Sequence, residues 1–301
     1  MANIHFDSTD SDDERRRQLY AGDLYMYSPV KPALELVALA RDLIERAFGA
    51  RDPERAQYEM PVAEYAALLA ELKPRFIHHP ECKRLLPEIL AALGCDQLNT
   101  YFDVPRMRSS TSDNFLTTGI AYAFHPHRDT WYSAPMCQLN WWLPISGLTA
   151  DNGMAFHPAY WARALRNSSN TYNYQVWNQV NRFSAAGQIG TDTRPQPKAL
   201  EPVQAQPDIR LVPPPGGIIV FSGAQLHSSV PNLSGRTRFS IDFRTVNAED
   251  AMRQNGAANV DSQCTGSTMH DYLRCTDLAH LPQQVLDLYE SGPPQPVMMA
   301  V

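Results

Sequence analysis

The hydrophobic period of this chain changes near Leu98, and that change constrains the fold more than any other feature. From Pro32 onward, Leu34, Val37, Leu39, Leu43, Ile44 and Phe48 recur at helical spacing, and Gly49 follows the last of them as a stop signal. Two further helical stretches, Val62 to Leu72 and Cys82 to Leu93 ending at Gly94, carry prolines at their edges. After Leu98 the period falls to two or gives way to short apolar runs. These are Tyr101, Phe102, Val104; then Ile120, Tyr122, Phe124; then Leu139, Trp141, Leu143, Ile145; then Gly217 to Phe221 and Arg236 to Val246. Short strands punctuated by Gly, Pro, Asn and Asp imply an all-β sandwich or barrel. The expected class is mainly β with flanking helices, the helices coming first.

At 301 residues, 44% hydrophobic and 19% charged, the chain can bury one sizeable core, so a single domain over 1–301 is expected. Residues 1–18, polar and charged, read as a flexible leader. Residues 30–95 form the helical part, and 97–247 the β core. An irregular insertion at 158–215 holds a helix at Tyr160 to Arg166 and then Asn/Tyr/Gln-rich and Pro-rich stretches. A long segment of that kind is usually functional, and it is expected to form a wall or lid over the site. Residues 248–301 are read as a tail with one short helix, Leu281 to Tyr289.

A net charge of −6 and scattered arginines leave no footprint for nucleic acid. Five cysteines without a CxxC pair fit a reducing compartment, where they are ordinary buried thiols. The acidic N-terminus lacks the apolar core of a signal peptide, and no stretch approaches the ~18 apolar residues of a membrane span. A cytoplasmic, soluble protein acting on a small molecule is expected, with no membrane partner and a homodimer left open.

The chemistry concentrates in His127-Arg128-Asp129, His227 and the run Arg238 to Arg244. Residues i and i+2 of an extended segment face together, so His127 and Asp129 can reach one ion. With His227, which follows the strand-like GGIIVFSG, they offer two nitrogens and one oxygen to one face of an octahedral metal. Further on, Arg238, Ser240, Asp242 and Arg244 alternate with Phe239, Ile241 and Phe243. A buried guanidinium needs an anion, and either a dicarboxylate co-substrate or a structural pairing with Asp242 supplies one.

The string HRD, the stretch NWWLPISGLTADNGMAFHPAYW and the stretch GGIIVFSGAQLHSSVPNLSGRTRFSIDFR resemble the Fe(II)/2-oxoglutarate-dependent oxygenases of the phytanoyl-CoA dioxygenase-like superfamily. The resemblance covers roughly residues 97–247. It implies a double-stranded β-helix, a jelly-roll of cupin-like type, with His127, Asp129 and His227 as catalytic iron ligands. Arg238 would bind the distal carboxylate of 2-oxoglutarate, with Ser240 beside it. The implied reaction consumes O₂ and 2-oxoglutarate, releases succinate and CO₂, and hydroxylates, desaturates or cyclises a C–H bond. A small polar metabolite such as an amino acid or a natural-product intermediate is the expected substrate. Halogenating relatives lack the carboxylate retained here as Asp129, so chlorination is disfavoured. The chain departs from many relatives at Phe156-His157-Pro158-Ala159, where they have Pro-Gly-Ser-His, so no ligand role passes to His157.

Further contacts are expected around these residues. Gln138 and Asn140, on one strand face with Trp142, are candidates for 2-oxoglutarate. Thr130, Trp131 and Tyr132, just after Asp129, are candidates for substrate, as is Arg244, and Arg106 or Arg108 for an anionic one. Gly119 and five residues before His125-Pro126-His127 also match the start of a cupin motif, G(x)₅HxH, but Trp131 and Tyr132 stand where its glutamate belongs. That rival predicts a metalloenzyme independent of 2-oxoglutarate that needs His125.

Overall fold

In the computed structural model, which describes residues 2–290, the N-terminal segment is built into the fold. Strand β1 (Ile4–Phe6) pairs in parallel with β2 (Leu24–Tyr27), and helix α1 (Asp12–Tyr20) lies between them. Ser11 caps α1 by accepting from the Glu14 amide, and three acidic residues occupy its first turn, where the helix dipole favours them. The flexible leader expected for 1–18 is therefore corrected. Its charges are used in pairs: Arg15 is 1% exposed, donates to the Leu93 carbonyl at 2.6 Å and meets Asp12, while Arg16 reaches Asp250 at 2.6 Å.

Helices α2 (Lys31–Phe48), α3 (Val62–Ile77) and α4 (Pro80–Ala92) follow the helical period closely. The strands come next: β3 (Thr100–Phe102), β4 (Arg106–Ser110), β5 (Leu139–Pro144) and β6 (Met154–Phe156). Helix α5 (Tyr174–Val180) lies in the insertion before β7 (Ile218–Ser222), β8 (His227–Ser229) and β9 (Arg238–Asn247). Helix α6 (Ala248–Met252), β10 (Leu273–Arg274) and α7 (Gln283–Asp287) close the described chain. The helix expected over Leu281 to Tyr289 is the shorter α7, and the part of the expected tail from 291 to 301 lies outside the described residues.

The large sheet runs β1-β2-β7-β5-β9-β3-β10, with β4 continuing along the β3 edge of β9, and β6 and β8 form a separate antiparallel pair. The period of two decides what each face meets. Phe239, Ile241 and Phe243 of β9 and Trp141 and Leu143 of β5 enter one core with Leu36, Leu69 and Leu86 of the helices. Each such side chain contributes roughly 1.5–3 kcal/mol on burial. On the opposite face Trp142, Ile219 and Phe221 pack against Met154 and Phe156 of the small sheet. Arg238, Ser240, Asp242 and Arg244 share that second face. A one-residue slip of β9 would drive them into the helical core, so its register is strongly specified.

The result is a mixed, sheet-rich fold, with helices on one side of the large sheet and, on the other, a cavity of about 390 Å³. Two expected elements differ. Ile120 to Phe124 is not a strand; Gly119–Ala121 is a 3₁₀ turn whose backbone groups serve side chains, the Gly119 amide donating to Asp192 and the Ile120 carbonyl accepting from Lys73. A Cβ at Gly119, where φ is +60°, would stand 2.3 Å from the Ala185 carbonyl oxygen, so the insertion presses on the backbone there. Tyr160 to Arg166 is likewise not a helix: a 3₁₀ turn at Pro158–Tyr160 ends early, and the Tyr160 and Arg163 carbonyls accept from Arg128. All five cysteines are unpaired and buried. Among the described residues no helix is long and apolar enough to cross a membrane.

Candidate metal centre

His127 and His227 are cross-strand neighbours. Each backbone amide donates to the other's carbonyl at 3.0 Å, and the ring centroids lie 4.3 Å apart. Asp129 opens a 3₁₀ turn, Asp129–Tyr132, that folds its carboxylate back toward both rings. Its Oδ1 lies 3.5 Å from His127 Nε2 and 4.0 Å from His227 Nε2, and one ligand atom from each of the three residues falls within 4.8 Å of the others.

Hydrogen bonds behind these atoms fix which of them face the common point. Each Nδ1–H donates to the carbonyl two residues before it, His127 to His125 at 2.8 Å and His227 to Gln225 at 2.9 Å. A carbonyl cannot donate, so each Nδ1 carries hydrogen and the Nε2 of a neutral ring carries a lone pair. Burial pushes the His227 imidazole down to about 3, with the charge of His127 adding to it. Asp129 Oδ2 is turned away: it accepts from Gln138 Nε2 at 3.1 Å and from Arg244 Nε at 3.4 Å. Burial opposes ionisation of Asp129, yet Arg244 and the two histidines outweigh it and hold the carboxyl well below its usual range. Two lone-pair nitrogens and one anionic oxygen suit a divalent cation of borderline character, with the opposite side facing the cavity.

The arginine of the tripeptide points the other way. Arg128 is fully buried; its Nε donates to Asp261 at 3.1 Å and its Nη atoms donate to the carbonyls of Ala224, Tyr160 and Arg163 at 2.5, 2.6 and 3.0 Å. Asp261 also accepts from Trp131 Nε1 and the Leu165 amide. This network ties the backbone between His127 and Asp129 to the insertion. Arg128→Ala leaves a buried carboxylate short of its partner, and a loss of about 3–5 kcal/mol is expected, read as a Tm lower by roughly 5–15 °C. Adding Asp261→Leu should recover part of it.

Arg238 and Ser240 lie on the cavity face of β9. Arg238 is 5% exposed with its guanidinium 5.3 Å from the Trp142 ring centre, and its Nε and Nη1, like Ser240 Oγ, are buried without a partner among the described residues. Burial lowers the guanidinium to about 10. Its neighbour Asp242 is occupied by Arg108, through contacts of 2.5 and 3.2 Å, so the structural pairing expected for this strand belongs to Arg108. Two donors orphaned two residues apart on one strand match a carboxylate.

The remaining candidates divide. Tyr132 and Asn140 line the cavity. Thr130 and Trp131 do not: the Thr130 carbonyl accepts from Ser262, and Trp131 packs with Tyr160, Leu165 and Leu226. Gln138 lines the cavity, but both its amide hydrogens go to Asp129 and Asn140 and its oxygen accepts from Tyr272, so it orients the carboxylate instead of awaiting a ligand. Arg244, expected at substrate, is bound to Asp103 and Asp129 and has the same office. His125 is exposed and offers only its carbonyl, against the cupin-like rival; His157 is held by Ala205 and Ser228. Sequence reasoning missed Lys73, Tyr172, Tyr174 and Trp177, all of which line the cavity.

No family model matches the chain, and no curated protein does. Among solved structures it is similar to EvdO2 from Micromonospora carbonacea var. aurantiaca, at 15% identity and a TM-score of 0.44, over 79% of this chain and 91% of that one. It is similar to SnoN, a non-heme alpha ketoglutarate dependent epimerase from nogalamycin biosynthesis, at 14% identity and 0.37, over 79% and 84%. It is also similar to the non-heme monooxygenase ThoJ, at 12% and 0.37, over 73% and 72%. Likenesses this distant assign no role to any residue here.

Proposed function

We propose that the protein is a non-haem Fe(II)- and 2-oxoglutarate-dependent oxygenase. One observation carries the reading: three metal-ligand atoms from His127, Asp129 and His227 converge in the cavity that also holds the unpartnered Arg238. His127, Asp129 and His227 would hold the iron. Arg238 and Ser240 would hold the distal carboxylate of 2-oxoglutarate, and Asn140, whose side-chain nitrogen has no partner among the described residues, is a further contact. When bound, iron and 2-oxoglutarate supply an oxidant from O₂, with succinate and CO₂ as co-products.

The chain's own part is positioning and exclusion of water. Gln138 and Arg244 hold Asp129 Oδ2, leaving Oδ1 toward the histidines, and Asp103 holds Arg244 through its Nη1 at 3.3 Å. Phe124 stacks on the His127 ring at 4.9 Å and Tyr132 meets its edge at 5.6 Å, so the side facing the insertion is walled by aromatic surface. We extend the proposal to the finer readings: residues 97–247 as a double-stranded β-helix of the phytanoyl-CoA dioxygenase-like kind within one catalytic domain, and C–H hydroxylation, desaturation or ring closure on a small metabolite inside the cell. Anaerobic protein given Fe(II) should develop a visible charge-transfer band only when 2-oxoglutarate is added. Iron binding without that band would remove 2-oxoglutarate from the reading, and no iron binding would remove the enzyme.

A further inference from the structure

The cavity carries more positive charge than its carboxylates and a dicarboxylate co-substrate account for. Lys73, Arg106, Arg108, Arg238 and Arg244 line it, with Arg182 and Arg194 from the insertion, against Asp103, Asp129 and Asp242. Asp103 serves Arg106 and Arg244, Asp242 serves Arg108, and Asp129 serves Arg244. Arg194 pairs with Asp192 and the exposed Arg182 donates to Asn178, so the cations left without a carboxylate among the described residues are Arg182, Arg238 and Lys73. A divalent ion and the 2-oxoglutarate dianion cancel each other, so the excess of positive charge persists in the loaded site.

Lys73 comes from α3, a helix whose buried face otherwise packs on the sheet, and its ammonium donates to the Ile120 carbonyl. That bond uses one of its three hydrogens. Arg108, which lines the same cavity and acts on Lys73 electrostatically, holds Asp242 through Nε and Nη2, leaving Nη1 without a partner among the described residues. Phe124 spans the gap between this pair and the candidate metal centre: its ring centre is 5.6 Å from the Arg108 guanidinium and 4.9 Å from the His127 ring. Tyr122 and Tyr132 meet Phe124 edge-on at 4.8 and 6.4 Å and extend the apolar wall.

We infer that the substrate is an organic carboxylate with an aromatic or similarly flat apolar body, its carboxylate held by Lys73 and Arg108 and its body laid along Phe124 toward His127. This names the substrate class of the oxygenase proposed above and rests on that reading. Spare donors on two side chains match the two oxygens of a carboxylate, and an unpaired ammonium in a partly enclosed cavity gains from an anion what an exposed one does not. Burial and the charge of Arg108 bring Lys73 down to about 7, and a carboxylate beside it would oppose both effects.

The test uses matched 3-arylpropanoates and 3-arylpropanamides carrying phenyl, 4-hydroxyphenyl and indolyl groups, titrated into the full chain by calorimetry and ligand-observed NMR. At least one acid should bind at least ten-fold more tightly than its amide. Lys73→Met should reduce that acid to the level of its amide, and Lys73→Arg should keep the preference. Lys73→Gln serves if the methionine variant does not fold. The inference is overturned if no acid outbinds its amide, including by failing to bind, or if the preference survives loss of the Lys73 charge. The 2-oxoglutarate-dependent band is read separately: acid preference without the band leaves the anion site standing and removes the oxygenase, and the band without acid preference does the reverse.

Discussion

Asp129→Ala should lower Fe(II) affinity by more than about 100-fold and bring substrate oxidation to background, a larger loss than the roughly 10–100-fold typical of residues that only support a ligand. The expectation follows from the way the carboxylate is divided. Oδ2 is spent on Gln138 and Arg244, so Oδ1 alone faces the two Nε2 atoms and nothing nearby replaces it. Two neutral imidazoles remain, too few ligands to hold a labile divalent ion firmly. The substitution should also lower the stability of the metal-free protein, because the contacts that hold this carboxyl well below its usual range outweigh its desolvation, and Gln138 and Arg244 each lose an acceptor although Arg244 keeps Asp103. Competition with a chromogenic chelator gives the affinity and thermal melting gives the stability. Gln138→Leu is the graded control: Oδ2 loses one donor of two, so the iron affinity should fall within the 10–100-fold range and not beyond it. Undiminished iron binding by Asp129→Ala would exclude this residue as a ligand.

The legible parts of the site are those where strand periodicity and side-chain chemistry agree. Arg238 and Ser240 alternating with Phe239 and Ile241 already state that one strand has an apolar face and a polar buried one, and β9 packs in that way. His127 and Asp129 were paired by their i, i+2 spacing, although the carboxylate reaches the common point from a 3₁₀ turn and not from a strand. The expectation for Trp131 and Thr130 fails because adjacency to Asp129 is not adjacency to the cavity; the same turn sends them to the opposite side, where Asp261 takes the indole. Lys73 was illegible for a general reason: a lysine on an amphipathic helix reads as solvated, and only the fold brings the 119–121 turn against it. The N-terminus misled likewise. Its charges looked like a solvated segment, but Arg15 and Arg16 find partners near residues 93 and 250, which no local pattern reveals.

Arg238→Met should separate binding from stability in a way that an ordinary buried arginine would not. In a buried ion pair, removing the cation strands its carboxylate and costs about 3–5 kcal/mol, as expected for Arg128. Arg238 strands nothing: Asp242 is already bound to Arg108, and the Arg238 Nε and Nη1 atoms have no acceptor to lose among the described residues. What disappears is a desolvated charge that burial, with the charge of Arg108 adding to it, has pulled down to about 10, replaced by a thioether of similar reach against Trp142. The Tm of the metal-free variant should therefore be unchanged or higher. Affinity for 2-oxoglutarate should fall by about 2–5 kcal/mol, roughly 30- to 5,000-fold, because its distal carboxylate would lose the one cation positioned for it. Arg238→Lys should recover only part, since an ammonium cannot present two parallel donors. Titration of the anaerobic Fe(II) protein with 2-oxoglutarate, beside melting curves of the metal-free forms, reads both quantities. A destabilised variant that binds 2-oxoglutarate normally would make Arg238 a structural residue and leave the co-substrate without an anchor.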